Sequence, residues 1–411
     1  MSIYERYGIN PVINAAGPAT RYGGALVSET VRKAMDEAGL YSVPIEELHA
    51  AASQRIAEIT GAEAGIVTNG ASAALTLGIA ACIARLDVAI MNRLPDTSGI
   101  PNEVVMPWHQ VSGYDHAIWA TGARLVGAGY PNDTTPPHEV EIIDRFNLAS
   151  AISPMAVAVA YAPRPQSHPQ LEEVVEVAHA RGLPVVLDAS MEVPPIENLR
   201  NFVQAGADLV CVSGGKGIGG PQSSGLLFGR KDLVVSALLQ MLDMSGPCFA
   251  DWAPPPMIPK DKLLGKPLHG IGRGMKVSKE SIVGLLVALD ELSPEGFAVR
   301  QRRKHELLSQ ISASIEPLAG VETRVVTGTS DFPALLVSID ETLVGKSART
   351  VCQLLSESSP AIYVYNEERY LLRGELLIQS QNLSEETAVI VAARLHSILT
   401  DRTSSHSDHR R

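Results

Sequence analysis

Short runs rich in valine and isoleucine alternate along the chain with alanine-rich segments of helical period. That alternation predicts an α/β fold with a mostly parallel sheet. Ser28 precedes Val31, Ala34, Met35 and Ala38, a spacing that predicts a capped helix with one buried face. A second helix is predicted over about 44–60, then a strand at 65–68, a turn at 69–72 and a helix from Ala73 onward. Further strands are predicted at 104–106, 124–126, 156–160, 184–188 and 208–212, with helices near 113–121 and 171–180. The strand at 184–188 ends in Asp188, and the one at 208–212 leads into Ser213. A proline-rich stretch at 253–259 predicts a domain boundary. Beyond it, a long helix from about Lys279 and then alternating strands and helices predict a smaller α/β domain.

Composition narrows the class. The chain has 411 residues, 45% of them hydrophobic and 19% charged, which suits a compact globular enzyme with one large and one smaller domain. The formal net charge of −11, with no Lys/Arg stripe, argues against nucleic acid as a partner. Cys82, Cys211, Cys248 and Cys352 form no CxxC pair and read as free thiols of a reducing compartment. The N-terminus has no signal-peptide character, and the apolar stretch 73–84 is too short to span a bilayer. A soluble, cytoplasmic protein with no membrane partner is expected. The tail, 401–411, is expected to be disordered; its His406 and His409 are read as solvated, and no metal site is expected.

The most informative segment is Ser213-Gly214-Gly215-Lys216-Gly217-Ile218-Gly219-Gly220-Pro221-Gln222. It is not a P-loop, because Lys216 is followed by Gly217 and not by Ser or Thr. It is not a dinucleotide fingerprint either, because Gln222 stands where a glycine is required. A lysine just after a buried strand, flanked by glycines that let a flat ligand approach, suits a carbonyl cofactor, since burial favours the neutral, nucleophilic amine. Asp188, at another strand end, could hold a proton on a pyridine nitrogen. The junction containing Asn69, Gly70, Ala71 and Ser72 offers backbone N–H groups to a phosphate. His109 is the first choice for an aromatic group over the ring, and His116 the second. Taken singly, each of these features is common in loops and caps; their order along one chain is not.

Six segments, in order from about Tyr4 to Leu399, resemble the selenocysteine synthase-like (SelA-like) branch of fold-type-I enzymes that use pyridoxal 5'-phosphate (PLP). They are Ile13-Asn14-Ala15-Ala16-Gly17, Ile59-Thr60-Gly61-Ala62-Glu63-Ala64, Asn69-Gly70-Ala71-Ser72-Ala73-Ala74, Val185-Val186-Leu187-Asp188-Ala189, Ser213-Gly214-Gly215-Lys216 with Gly219-Gly220-Pro221-Gln222, and Gly272-Arg273-Gly274-Met275-Lys276-Val277-Ser278-Lys279-Glu280. The resemblance implies a large domain at 41–252 with a seven-stranded-type sheet, a small domain at 253–400, and a segment 1–40 packing with the latter. It makes Lys216 the Schiff-base lysine, Asp188 the pyridinium partner, and Asn69 to Ser72 the phosphate loop. Ser213 falls at a position that touches the phosphate or the lysine. Arg273 and Lys276 match a basic motif expected to help bind an anionic substrate or the cofactor phosphate, with a dimer interface as one setting for it. Arg373 and Arg21 are further candidates to hold a substrate carboxylate or phosphate.

The chain starts almost directly at this core and is expected to lack the extension with which tRNA-modifying members hold tRNA. Leu377-Ile378-Gln379-Ser380-Gln381-Asn382 also stands where those members are more basic. The expected function is therefore a PLP-dependent ammonia-lyase of the D-glucosaminate-6-phosphate type, working on a small β-hydroxy amino acid or amino sugar acid as a homodimer or a multiple of one. Racemisation or epimerisation, with His109 or Tyr114 as second proton donor, aldol cleavage, and selenium transfer to seryl-tRNA are the rivals.

Overall fold

The computed structural model describes residues 2–129, 143–164 and 167–401. They fall into two compact units, a central one at 27–291 and a terminal one made of the residues up to 26 with those from 292 onward. Strand β1 (Ile13–Ala15) belongs to the terminal unit. The central unit holds β2 (Ala64–Thr68), β3 (Glu103–Pro107), β4 (Arg124–Ala128), β5 (Ala156–Tyr161), β6 (Val185–Asp188), β7 (Leu209–Ser213) and β8 (Gly225–Gly229). The terminal unit resumes with β9 (Val321–Thr327), β10 (Pro333–Ile339), β11 (Ile362–Val364) and β12 (Glu375–Gln379).

The central sheet runs β2-β8-β7-β6-β5-β3-β4. Its pairs are parallel except those made by β8, which is antiparallel to both β2 and β7. Strands covered on both faces lose the polar alternation of a half-exposed strand, which explains the unbroken apolar runs at Val185–Leu187 and Leu209–Val212. Helix Ala71–Ala84 is buried from Ala73 to its end because it lies between the sheet and a second buried helix, Lys231–Met241. A helix apolar all round has no other stable place in a globular protein. The predicted cap is present: the Val31 amide donates to Ser28 Oγ at 3.1 Å, starting helix Glu29–Gly39.

In the terminal unit β12-β10-β9 form an antiparallel sheet, and β1 pairs in parallel with β11, Ile13 opposite Ile362. Leu308, Ile311, Leu335, Val337, Val391 and Leu395 are among the residues of its core.

Three expectations need correction. The division falls at 26/27 and 291/292, not at 40/41 and 252/253. The proline-rich stretch is no linker: Trp252 and Ile258 are buried, Trp252 Nε1 donates to the Glu46 carboxylate at 3.2 Å, and helix Lys279–Glu291 packs on helix Glu29–Gly39. All of this holds 253–291 to the central unit. The helix from Lys279 stops at Glu291, and a new one, Pro294–Ile315, starts where Ser293 Oγ accepts from the Gly296 amide at 3.0 Å. The segment near 113–121 is one short 3-10 turn, Gly113–Asp115, followed by a single helical turn, His116–Trp119. The tail with His406 and His409 lies outside the described residues. Among those described, no helix is long and apolar enough to cross a membrane.

Candidate active site

Register brings the predicted residues to one edge of the central sheet. Gly225, the first residue of β8, pairs with Thr68 on one side and Ser213 on the other. The ends of β2 and β7 therefore lie level with each other, one strand apart. Asp188, the last residue of β6, pairs with Cys211 two residues before β7 ends. Loops at the carboxyl ends of parallel strands are where open α/β sheets bind ligands.

The turn after β2 is shaped for an anion. Gly70 caps helix Ala71–Ala84 with φ 93° and ψ 168°, a conformation almost confined to glycine. Thr68 Oγ1 donates to the Gly70 carbonyl at 3.0 Å and fixes the turn. A Cβ on Gly225 would stand 2.5 Å from the Gly70 carbonyl carbon, so the two segments touch backbone to backbone. The first N–H groups of the helix, at Ala71, Ser72 and Ala73, have no partner within the helix and lie at its positive end.

Lys216 sits on the irregular turn Gly214–Ile218 that follows β7. Gly215 is required here for a reason other than ligand access. A Cβ on it would lie 2.5 Å from Gln222 Cα, so the returning chain fills the space. Lys216 is half-buried, and burial pushes its ammonium below the usual lysine range, opposed by the Asp188 and Glu192 carboxylates. Asp188 is oriented by its own loop: its Oδ1 accepts from the Ser190 amide at 3.1 Å. Ser213 is buried at the end of β7.

His109 follows β3 in a turn tied to the segment after β5. Gln110 Nε2 donates to the Ala162 carbonyl at 3.1 Å, and its Oε1 accepts from the Ala162 amide at 2.8 Å. Both His109 ring nitrogens are buried without a hydrogen-bond partner among the described residues. Burial, then the charges of Arg164 and His168, lower its pKa, so the ring is neutral and offers a flat face. His116 is exposed, edge-on to Trp119 at 4.9 Å between ring centroids, and Tyr114 is 77% exposed.

Two residues of this group were absent from the sequence reading. Glu192 is half-buried, its carboxyl pushed up by burial and by Asp188 and pulled down by Arg164 and Lys216. Asp115 is buried and also pushed up, by burial and to a lesser degree by Asp188, against the hydrogen bond from the Ser112 amide at 2.5 Å. The available signal was position. Glu192 lies four residues beyond Asp188 on the same strand-end loop, just before Pro194-Pro195.

The expected substrate-binding residues have their own surroundings. Arg273 pairs with Asp243 at 3.0 Å and, with Lys276, lines a cleft of about 920 Å³ that also has Glu46, His49 and Pro254 in its wall. Arg21 and Arg373 are exposed residues of the terminal unit, Arg21 lying over the Tyr22 ring at 5.5 Å. Among the described residues no cluster of three or more His, Cys, Asp or Glu could hold a metal ion.

A half-buried lysine on the loop after one strand, a carboxylate ending the next, and an anion-ready helix start on this sheet define a fold-type-I PLP-dependent enzyme. The chain is 30% identical over 411 residues to the 5'-C-glycyluridine monooxygenase-decarboxylase of a Streptomyces species, covering 97% of this chain and 92% of that one. It is 29% identical to the D-glucosaminate-6-phosphate ammonia lyase of Salmonella typhimurium, over 97% and 98% of the two chains. A solved structure of D-glucosaminate-6-phosphate ammonia-lyase superposes with a TM-score of 0.78 at 27% identity, over 97% of this chain and 98% of that one. An L-seryl-tRNA(Sec) selenium transferase from Geotalea daltonii is 23% identical, over 94% and 83% of the two chains. No family model matches. The protein belongs to the SelA-like branch of the fold-type-I PLP-dependent enzymes.

Proposed function

We propose that this protein is a PLP-dependent ammonia-lyase that removes water from a small β-hydroxy amino acid or amino sugar acid, such as D-glucosaminate 6-phosphate, and releases a 2-keto acid and ammonia. The observation that carries this reading is a half-buried Lys216 under the influence of the Asp188 carboxylate, in a chain that matches an ammonia lyase over 97% of its length.

The residues fit PLP. The amides of Asn69, Gly70, Ala71 and Ser72 would receive its phosphate, the helix start supplying the complementary field. Asp188 would hold a proton on its ring nitrogen, and the His109 ring, unpartnered among the described residues, would offer it a flat face. Ser213 would help hold the phosphate or the lysine. When bound, the cofactor supplies a sink for the electron pair left at the substrate α-carbon. Lys216 Nζ would hold the cofactor's aldehyde carbon and, as the amine of the site, would take the substrate's α-proton. Its lowered pKa keeps the amine available for that task. Arg273 and Lys276 would help bind an anionic group of the substrate or the cofactor phosphate, with the interface of the homodimer expected of this family as one setting. The full-length likeness to a monooxygenase-decarboxylase favours one second reading, oxygen-consuming loss of the substrate carboxylate.

The test is an absorption spectrum of the purified protein and of Lys216→Ala, then a screen of D- and L-β-hydroxy amino acids. A visible band lost in the variant, with ammonia and keto acid released in the screen, is the expected result. Carbon dioxide release with oxygen uptake selects the second reading, and racemised or retro-aldol products select an isomerase or aldolase. A protein that stays colourless after PLP is added overturns the cofactor assignment.

A further inference from the structure

The turn that carries His109 is held by the residues on either side of the histidine. In the central sheet β3 lies between β5 and β4. On the β4 side, a Cβ on Gly127 would stand 2.3 Å from the Trp108 ring, so the indole lies directly on that strand's backbone. On the β5 side, the pairing with β3 ends at Val105 opposite Val159. Ala162, the residue after β5, is buried beyond the end of that ladder. Gln110 meets it with both ends of its carboxamide: Oε1 accepts from the Ala162 amide at 2.8 Å, and Nε2 donates to the Ala162 carbonyl at 3.1 Å. Nε2 also donates to Ser167 Oγ at 3.3 Å, and that oxygen accepts from the Arg164 amide at 3.1 Å.

A buried peptide unit needs a partner for its N–H and another for its C=O. A primary carboxamide carries the matching acceptor and donor on one planar group, whereas a carboxylate only accepts and an ammonium only donates. Gln110, 4% exposed, thus extends the β3–β5 pairing by one unit through its side chain. Its neighbour His109 has no such tie. Both ring nitrogens are buried without a partner among the described residues, so the ring takes its place from the backbone of the turn.

We propose that Gln110 is a positioning residue of the cofactor site: by closing on Ala162, its carboxamide fixes the turn from which the His109 ring would cover the cofactor. This role rests on the PLP reading and on His109 as the group over the ring. Gln110 itself moves no proton and forms no bond to the ligand.

The experiment titrates PLP into the apo forms of the wild type, Gln110→Met, His109→Ala and the double variant. Absorbance gives the affinity, and circular dichroism in the visible region reports the asymmetry around the bound cofactor. Gln110→Met keeps the length of the side chain and removes its donor and acceptor. It is expected to lose roughly 2- to 13-fold in affinity, the range of one ring-stacking contact, and to shift the dichroism toward that of His109→Ala. The double variant should match His109→Ala alone, because nothing is left to position. Gln110→Glu is the rescue, and it carries the test if Gln110→Met does not fold. Once protonated, its carboxyl offers the same acceptor and donor, so its affinity relative to the wild type should recover as the pH is lowered. Wild-type affinity and dichroism in Gln110→Met overturn the proposal, as do losses that multiply in the double variant. A Gln110→Glu ratio that ignores pH overturns it too. A His109→Ala protein indistinguishable from the wild type overturns the placement of His109 over the ring, and this role of Gln110 with it. An apo wild type that takes up no PLP overturns the cofactor assignment itself.

Discussion

Asp188 acts on Lys216 across adjacent strand ends: burial drives the lysine toward its neutral form, and the Asp188 carboxylate offsets part of that drive. The balance suits an amine that must form a bond to carbon at rest and accept a proton during reaction. It follows from topology. Two parallel neighbours place their following loops side by side, and the first loop starts with the carboxylate.

Replacing Asp188 by Asn removes the charge but keeps the shape. Without the carboxylate, Lys216 loses the larger of the two influences that raise it, so PLP loading of the apo chain should reach its midpoint at lower pH. The ring nitrogen also loses the group that holds its proton, and ammonia release should fall roughly 10²–10⁴-fold. Loading followed by absorbance and turnover followed by ammonia separate the two effects. Wild-type turnover in the variant would remove Asp188 from its proposed role.

Gly70→Ala tests the phosphate turn. At φ 93° and ψ 168° a side chain costs about 1–3 kcal/mol, and the helix start must shift to relieve it. The affinity for PLP should fall by roughly 5- to 150-fold at that cost. Pyridoxal, which has the aldehyde and ring but no phosphate, should bind the variant and the wild type alike. Equal losses for both ligands would mean that the turn supports the site in general and does not hold the phosphate.

Much of this architecture was legible from pattern. The strands from 65 to 213 fall close to their predicted places because each is a short β-branched run ending at a turn. Lys216 and Asp188 stood out because spacing excluded the competing glycine-loop motifs. β8 was missed, since Gly225-Leu226-Leu227-Phe228-Gly229 has no alternation and is bounded by glycines. The domain division was misplaced because prolines at 254–256 mark a break in regular structure and say nothing about what packs over it. Glu192 was invisible for a different reason. Two of the charges that act on it, Arg164 and Lys216, lie on other segments, and only the folded sheet brings their influence to bear.

His49 provides a test of the fold that does not involve the reaction. It lies in helix Ile45–Thr60, 1% exposed, with Nδ1 unpartnered among the described residues. Burial lowers its pKa from 6.5 to about 4. The folded protein therefore holds this imidazole neutral, whereas the unfolded chain protonates it below about 6.5. The unfolded state binds the extra proton, so stability is unaffected by this group above pH 6.5 and falls as pH drops from there toward about 4. At 1.36 kcal/mol per unit, the loss over that window is about 3 kcal/mol. His49→Gln cannot titrate and should lack this component, whatever its stability at neutral pH. Urea unfolding of both proteins at pH 7 and pH 4 gives the comparison: the drop in unfolding free energy should be smaller in the variant by about 3 kcal/mol. Equal drops would show that the folded protein protonates His49 in place, and that helix Ile45–Thr60 opens to water more readily than its burial indicates.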